Sequence, residues 1–486
     1  MIHNSQMTEA WTGKDFFKTI FNFFIHAVII MLLFVGAVLI NEGSIEKLLA
    51  FFATQKTCMN FLYCGLALFF LLAMLYLYFY YEFRDFLKKI SNIYLLFFVL
   101  ECSIIISFLV GKYLNIYARP VSLCALLILL LVNRRSAIIF NIAYALIMFM
   151  IDTLAFGEFG YDKSIYFSML IGVTTGLLAI YLVSNVASRI KVFLMGFLIS
   201  VPITICVICF EFTLSKDLLF LVAYGVTSGM LSVVLMMAIL PFFEYIFNVV
   251  TDYRLSEITD HSSKLIEKLM EEAPGTFNHS LTVSTLAESC AIAIGENPLL
   301  ARAAAYYHDI GKLKQPDYFT ENQSGYNPHN ELAPELSTDI IKAHARDGYD
   351  LIRKYHLPQI LADVAREHHG TLPIKYFYAK ALKFTEGELN IADFSYNGPR
   401  PTTKIAAIIM ICDGSEAAVR ALNDRSQDKV DSVVKNIIEE RMDLQQFIDC
   451  PITMKDLDII RTTIAQSLGG VYHDRIKYPK VKLGRK

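Results

Sequence analysis

The stretch "AAAYYHDIGKLKQ", residues 303–315, sets a histidine beside an aspartate, follows them with Gly311 and Lys312, and lies in a chain whose first half is almost entirely apolar. A lone histidine on a helix is more often a satisfied structural group than a ligand, so the pair must be judged by the company it keeps. Of the eleven histidines, eight fall between positions 261 and 369. His279 follows "APGTFN", His344 lies in "IIKAHARDG", and His368 and His369 adjoin in "REHHGT". Asp413 sits in the apolar helical stretch "AAIIMICDG", where an unpaired carboxylate is expensive to bury and a metal would supply its partner.

Five histidines and two aspartates on separate helices are the nitrogen and oxygen donors that borderline divalent metals take. Two ions fit better than one, because each oxygen of a carboxylate can face a different ion and Asp309 is the natural bridge. The expected division gives one ion His279, His308, Asp309 and Asp413, and the other Asp309, His344, His368 and His369. Lys312 lies three residues after Asp309, nearly on the same helical face. His261, His329, His356 and His473 lack this context; His329, in "NPHNELAP", reads as structural or loop-orienting, and His356 as a surface residue.

Composition places this constellation on a membrane protein. The chain has 486 residues, 55% of them hydrophobic, which is too many for an ordinary soluble surface. A formal net charge of -2 argues against a nucleic-acid binder, which shows a basic surplus. Nine cysteines without a disulfide framework suit a reducing compartment, and Cys206 and Cys209 form a CxxC inside the apolar run "TICVICF", where packing explains them.

Apolar stretches recur at about 20–40, 58–81, 93–113, 119–133, 136–156, 164–186, 190–213 and 217–240. Most reach the roughly 20 residues that cross a bilayer as a helix, and helices are forced there because lipid offers the backbone no partners. The fourth, "RPVSLCALLILLLVN", is short and rests on charge. Lys14 and Lys18, Arg84, Lys88 and Lys89, Arg134 and Arg135, and Arg189 and Lys191 fall at alternate connections, the cytoplasmic signature. The connections 41–57, 114–118, 157–163 and 214–216 then face outward, and eight spans put both termini inside. The first stretch is long for a signal peptide and no convincing cleavage site follows, so it reads as an uncleaved anchor. Glu101 and Asp152 are costly within spans; Glu101 is expected to pair inside the bundle and Asp152 to reach the outer interface.

The expected fold class is all-α: a multispan membrane domain over 1–240, a connecting helix over 241–274 that stops at Pro274-Gly275, and an all-helical domain over 275–486. "SLTVSTLAESCAIAIG", "DGYDLIRKYHLP" and "KIAAIIMICDGSEAAVRAL" carry the helical spacing of that last domain.

The set "APGTFNHSL", "YYHDIGKLKQPDYFTENQ", "NPHNELAP", "EHHGT", "YFYAKA", "FSYNGPRPTTK" and "CDGSEAAVRAL", with "LPFFEYIFN" before it, closely resembles the seven-transmembrane HD family of PgpH-type cyclic di-AMP phosphodiesterases. The resemblance covers roughly 240–480, and less specifically the membrane half. It implies a helical HD domain on a multispan unit in the bacterial inner membrane, with the HD domain in the cytoplasm. It also implies cleavage of cyclic di-AMP to linear pApA with iron or manganese. The family's metal ligands carry over onto His279, His308, Asp309, His344, His368, His369 and Asp413. The family usually places a sizeable extracytoplasmic domain after its first span, where this sequence has only residues 41–57. Gly414 also replaces the residue expected after the last aspartate.

Two divalent ions can ease formation of a bridging hydroxide and clamp a phosphate oxygen for in-line attack, so Asp309 is a catalytic as well as a ligand candidate. Lys312 is a candidate to neutralise charge on the phosphate, Arg400 in "GPRP" and Arg420 in "AAVRAL" to contact phosphate or base, and Tyr376 and Tyr378 to stack on adenine. The lipid bilayer is a further partner, and a homodimer is compatible with the chain. Three alternatives stand beside this reading. The first is an HD hydrolase of cyclic di-GMP, an alarmone or a nucleoside triphosphate, although the "GYP" of cyclic di-GMP enzymes is missing after "EHHGT". The second is a membrane receptor that binds nucleotide without cleaving it. The third is a transporter, motivated only by Glu101 and Asp152 and lacking paired half-repeats.

Overall fold

The structure is a computed structural model and describes residues 11–156, 163–184, 186, 188–211, 216–384 and 388–471. His473 and most of the connections 157–163 and 214–216 lie outside the described residues. Two compact units emerge, one ending at Thr251 and one beginning at Asp252. Among the described residues both are helical without strands, and Pro373 and Ser395 form an isolated antiparallel bridge.

The first unit contains α1 (Gly13–Glu42), α2 (Ile45–Ala53), α3 (Gln55–Glu82), α4 (Arg84–Lys88), α5 (Ile90–Tyr113), α6 (Leu123–Leu131), α7 (Arg134–Ala155), α8 (Lys163–Val183), α9 (Arg189–Ile199), α10 (Val201–Glu211) and α11 (Lys216–Phe247). Local chemistry starts these helices. Thr12 and Asp15 form a capping box on α1, and the side chain of Asn133 accepts from the Ser136 amide at the start of α7. Among the described residues, six helices are long and apolar enough to cross a membrane: α1, α3, α5, α7, the α9–α10 pair and α11. The shorter apolar stretches, 116–131 and 168–183, complete the eight seen in the sequence. The fourth is not a continuous span: a 3-10 turn (Ile116–Ala118) leads through Pro120 into the nine residues of α6.

Asp152 does not reach an interface. It is fully buried and takes two hydrogen bonds from Arg119, at 2.6 and 2.8 Å, across 33 positions of sequence. Gly111 makes room for this pair, because a Cβ there would run into the Arg119 guanidinium. Ser228 of α11 hydrogen-bonds to the Arg119 carbonyl. Glu101 pairs inside the bundle as expected, 2.8 Å from His26 Nδ1, and the His26 ring stacks on Phe97. Each costly charge thus has a partner of opposite sign or a matching hydrogen bond.

Residues 241–274 are three helical pieces instead of one connecting helix. Helix α11 continues past Pro241 to Phe247, and Asn248 turns the chain with φ 50°. Two short helices of the second unit follow, α12 (Asp252–Ile258) and α13 (Lys264–Glu272). Pro274, read as a stop, is the first residue of the next helix, where its missing N–H costs nothing.

The second unit continues with α14 (Pro274–Ile294), α15 (Pro298–Tyr307), α16 (Pro334–Lys354), α17 (Gln359–Glu367), α18 (Lys375–Ala381), α19 (Lys404–Arg420), α20 (Gln427–Asp443) and α21 (Met454–Val471). Helix α19 forms its axis: every residue from Ile405 to Cys412 is buried, so the run "IAAIIMIC" has no solvent face. Ala303, Ala304 and Ala305 are fully buried on α15, small enough to admit close neighbours. None of the nine cysteines is in a disulfide.

Candidate metal centre

The "HDIGK" stretch is not a helix interior. Helix α15 ends at Tyr307, His308 is its C-terminal cap, and Ile310–Lys314 tighten into a 3-10 turn. Gly311 is required there, since a Cβ would run into the His344 carbonyl on α16. The close approach brings Asp309 against α16. His279 projects from the second turn of α14, His344 from the middle of α16, His368 and His369 from the C-terminal end of α17, and Asp413 from α19.

All seven side chains meet in two groups, Asp309 with His344, His368 and His369, and His279 with His308 and Asp413; within each, the donor atoms lie within 4.8 Å of one another. Asp309 faces both. Its Oδ2 is 3.3 Å from His308 Nε2 and 3.8 Å from His279 Nε2, while its Oδ1 is 3.3 Å from His344 Nε2 and 3.6 Å from His368 Nε2. His279 Nε2 lies 3.0 Å from Asp413 Oδ1, and His369 Nδ1 lies 3.8 Å from Asp413 Oδ2.

Backbone carbonyls orient three of the rings. Nδ1 of His308, His344 and His368 donates to Ala305 at 2.7 Å, Ile341 at 2.6 Å and Ala365 at 2.8 Å. A carbonyl can only accept, so each Nδ1 holds the proton and each Nε2 turns a lone pair inward. His344 Nε2 and His368 Nε2 stand 3.3 Å apart. Two lone pairs facing at that distance call for a cation between them. His308 Nε2 and Asp309 Oδ1 are moreover buried without a hydrogen-bond partner. The donor set therefore fits divalent metal, with imidazole nitrogens fixed by bonds to their other nitrogen.

Charges follow this geometry. Burial opposes ionisation of Asp309, but Lys312 and His308 outweigh it and hold the carboxyl well below its usual range. Lys312 Nζ touches Asp309 Oδ2 at 2.6 Å and Glu321 Oε1 at 2.7 Å; despite burial, the two carboxylates push its pKa up. For His279, burial is outweighed by its bonds to Asp413 and Glu416, which raise it to about 10. Burial pushes His344 down to about 4 and His369 well below its ordinary value. Asp413, again despite burial, is lowered by His279.

The remaining sequence candidates separate. Lys312 is committed to Asp309 and Glu321 and does not stand free for a phosphate. Arg420 reaches Glu416 Oε1 at 3.5 Å. Tyr378 packs against the buried cluster of Phe377, Ala381 and Phe394, whereas Tyr376 is 69% exposed. Arg400 is half-buried in the loop before α19. His329 is buried and bonds to the Tyr318 carbonyl, a structural role, and His356 is exposed with φ 55°. Three residues at the centre were not singled out from the sequence: Glu321; Glu416, one helical turn after Asp413; and Tyr396, whose ring stacks on His369 at 4.3 Å. Only the Asp413-to-Glu416 spacing was there to be read.

The chain matches the family model described as "7TM receptor with intracellular HD hydrolase" over residues 59–251 and the HD domain model over 276–418. The cyclic-di-AMP phosphodiesterase PgpH of Bacillus subtilis (strain 168) is 37% identical over 377 residues, 76% of this chain and 52% of that protein. The PgpH of Listeria monocytogenes serotype 1/2a (strain 10403S) is 40% identical over 314 residues, 63% of this chain and 44% of that protein. A crystal structure of the L. monocytogenes PgpH HD domain in complex with cyclic-di-AMP is 47% identical, covering 44% of this chain and 99% of that one, with a TM-score of 0.42. The chain spans about half the length of the curated relatives it matches.

Proposed function

Because the chain belongs to the family of seven-transmembrane receptors with an intracellular HD hydrolase, we propose that it is a membrane-anchored, metal-dependent phosphodiesterase that cleaves cyclic di-AMP to linear pApA on the cytoplasmic side of a bacterial inner membrane. The observation that carries this reading is Asp309, whose two oxygens face separate groups of inward-turned imidazoles. His279, His308, Asp413 and Asp309 Oδ2 would hold one ion, of iron or manganese, and His344, His368, His369 and Asp309 Oδ1 the other. When bound, the pair supplies Lewis acidity to a phosphoryl oxygen and lowers the pKa of water at the site.

The chain's own residues do the positioning. Lys312 keeps Asp309 anionic and aimed, with Glu321 steadying the lysine from the far side. The three carbonyl bonds keep His308, His344 and His368 from turning their lone pairs outward. Tyr396 covers the His369 ring, and burial pushes its phenol pKa up, so it stays an O–H donor for a phosphate oxygen or for the ribose oxygen that leaves. Tyr376, with its exposed ring, is the better candidate for adenine stacking, and Arg400 for phosphate.

The test uses the full chain in detergent, loaded with Mn²⁺ and given cyclic di-AMP, cyclic di-GMP, an alarmone and a nucleoside triphosphate. Preferred turnover of cyclic di-AMP with pApA as product is expected. Preference for another nucleotide refutes the substrate; binding without turnover by metal-loaded protein refutes the enzyme and leaves a receptor.

A further inference from the structure

Four histidines of the centre have a located partner for the nitrogen that faces away from it, and they are not held alike. His308, His344 and His368 each donate Nδ1 to a carbonyl three residues back in their own segment. His279 donates Nδ1 to a carboxylate from another helix, Glu416 Oε2 of α19, at 2.6 Å. Glu416 is buried, and its other oxygen meets Arg420, which is 46% exposed on its side chain. Helix α19 therefore addresses both nitrogens of one ring: Asp413 meets Nε2 and, one turn on, Glu416 meets Nδ1.

A carboxylate behind an imidazole fixes the ring and strengthens its free nitrogen as a donor more than a neutral carbonyl does. The two halves of the centre then differ in charge. A cation between His279, His308 and Asp413 has Asp413 in contact, Glu416 behind His279 and a share of Asp309. A cation among His344, His368 and His369 would meet three imidazoles and the other share of Asp309, with the second oxygen of Asp413 3.8 Å from His369 Nδ1 and, among the described residues, no carboxylate behind a ring to match Glu416. We propose that Glu416 is a positioning residue which, through His279, makes the His279–His308–Asp413 half the tighter of two unequal metal sites. This rests on the metal-dependent reading above and adds an order of affinity and a residue that sets it.

The experiment measures Mn²⁺ binding to the chelator-stripped full chain in detergent by titration calorimetry, with metal content after desalting as a second readout. Wild type should show two unequal constants. Glu416→Ala should weaken the tighter one by about 10–100-fold, the usual cost of losing such a partner, and leave the weaker one in place. Glu416→Gln keeps the acceptor and nearly the shape but loses the charge, and should fall between; it decides the matter if Glu416→Ala unfolds. His369→Ala should lower only the weaker constant, which assigns the classes. The proposal is overturned by two equal constants in wild type, by unchanged constants in both Glu416 variants, or by loss confined to the weaker site. Wild type that binds no Mn²⁺ overturns the metal-dependent reading itself, so the two failures are told apart.

Discussion

Asp309→Asn is the sharpest perturbation, because it changes one atom's chemistry and almost no volume. The wild-type carboxylate offers an oxygen to each group of imidazoles, at 3.3 Å from His308 Nε2 and 3.3 Å from His344 Nε2. The amide offers one oxygen and one NH₂, and the NH₂ cannot bind a cation, so one half of the centre loses its bridging ligand. At a free Mn²⁺ concentration of a hundred times the Kd of a site, the ion at that site stabilises the fold by about 2.7 kcal/mol. If that site weakens a hundred-fold, its share drops to about 0.4 kcal/mol, so stabilisation by metal falls by about 2.3 kcal/mol. In metal-free protein Lys312 loses one partner but keeps Glu321 at 2.7 Å, so the loss there should lie at or below the 3–5 kcal/mol of a broken buried pair. The assay is unfolding of the full chain in detergent, with chelator and with Mn²⁺, following the transition of the histidine-rich unit, alongside turnover of cyclic di-AMP. Turnover should fall at least about a hundred-fold, the equivalent of 2.7 kcal/mol. Undiminished Mn²⁺ stabilisation together with undiminished turnover would refute the bridging role.

Tyr396→Phe keeps the stack on His369 and removes only the hydroxyl; metal content should be unchanged while kcat falls about 10-fold or more, the worth of a hydrogen bond to a charged group, and an unaltered kcat excludes the donor role. Gly311→Ala should destabilise the second unit by about 1–3 kcal/mol, because the new Cβ pushes against the His344 carbonyl; thermal melts read this, and Mn²⁺ titration should show a weakened site, whereas a neutral effect contradicts the close approach. Arg119→Leu or Asp152→Asn alone should cost the membrane unit about 3–5 kcal/mol by leaving one buried charge without its partner. Removing both charges, as Arg119→Leu with Asp152→Leu, should recover most of that in detergent melts, and a double variant no better than the singles would show that packing and not charge pairing is what the two residues supply.

The fold class was readable because both solvents leave a strong mark. Runs of about twenty apolar residues have one outcome in lipid, and three-to-four spacing from 280 onward has one outcome in water. The seven candidate donors that the structure brings together were readable because few other uses gather imidazoles with a carboxylate on an apolar helix. What sequence withheld was pairing across distance. Nothing near Asp152 announces Arg119, and the interfacial reading of Asp152 failed for want of that partner. Lys312 looked available to substrate because Glu321 lies nine residues on, in a separate turn. Arg420 looked like a phosphate contact because its attachment to Glu416, and through it to His279, exists only once α14 and α19 are side by side. Boundaries were lost for a related reason: the 241–274 stretch keeps its helical spacing across Asn248, yet one left-handed residue breaks it.

The way the rings are held bears on how metal and fold are linked. In small metal-stapled domains the ligands are unstructured until the ion arrives, so binding energy is folding energy. Here three histidines are oriented by carbonyls of their own segments, His279 by Glu416 and Asp309 by Lys312, all contacts that need no ion. The hydrophobic axis of α19 likewise closes without one. Such a unit would receive metal into a set of donors already positioned by its own contacts. The cost of the arrangement is electrostatic instead of conformational: opposed lone pairs on His344 and His368, and a buried aspartate that needs a lysine. Relief of that strain on loading would add to the centre's affinity, and Asp309→Asn, which removes one carboxylate oxygen, should weaken Mn²⁺ binding even where the metal-free unit, with Lys312 still held by Glu321, remains folded.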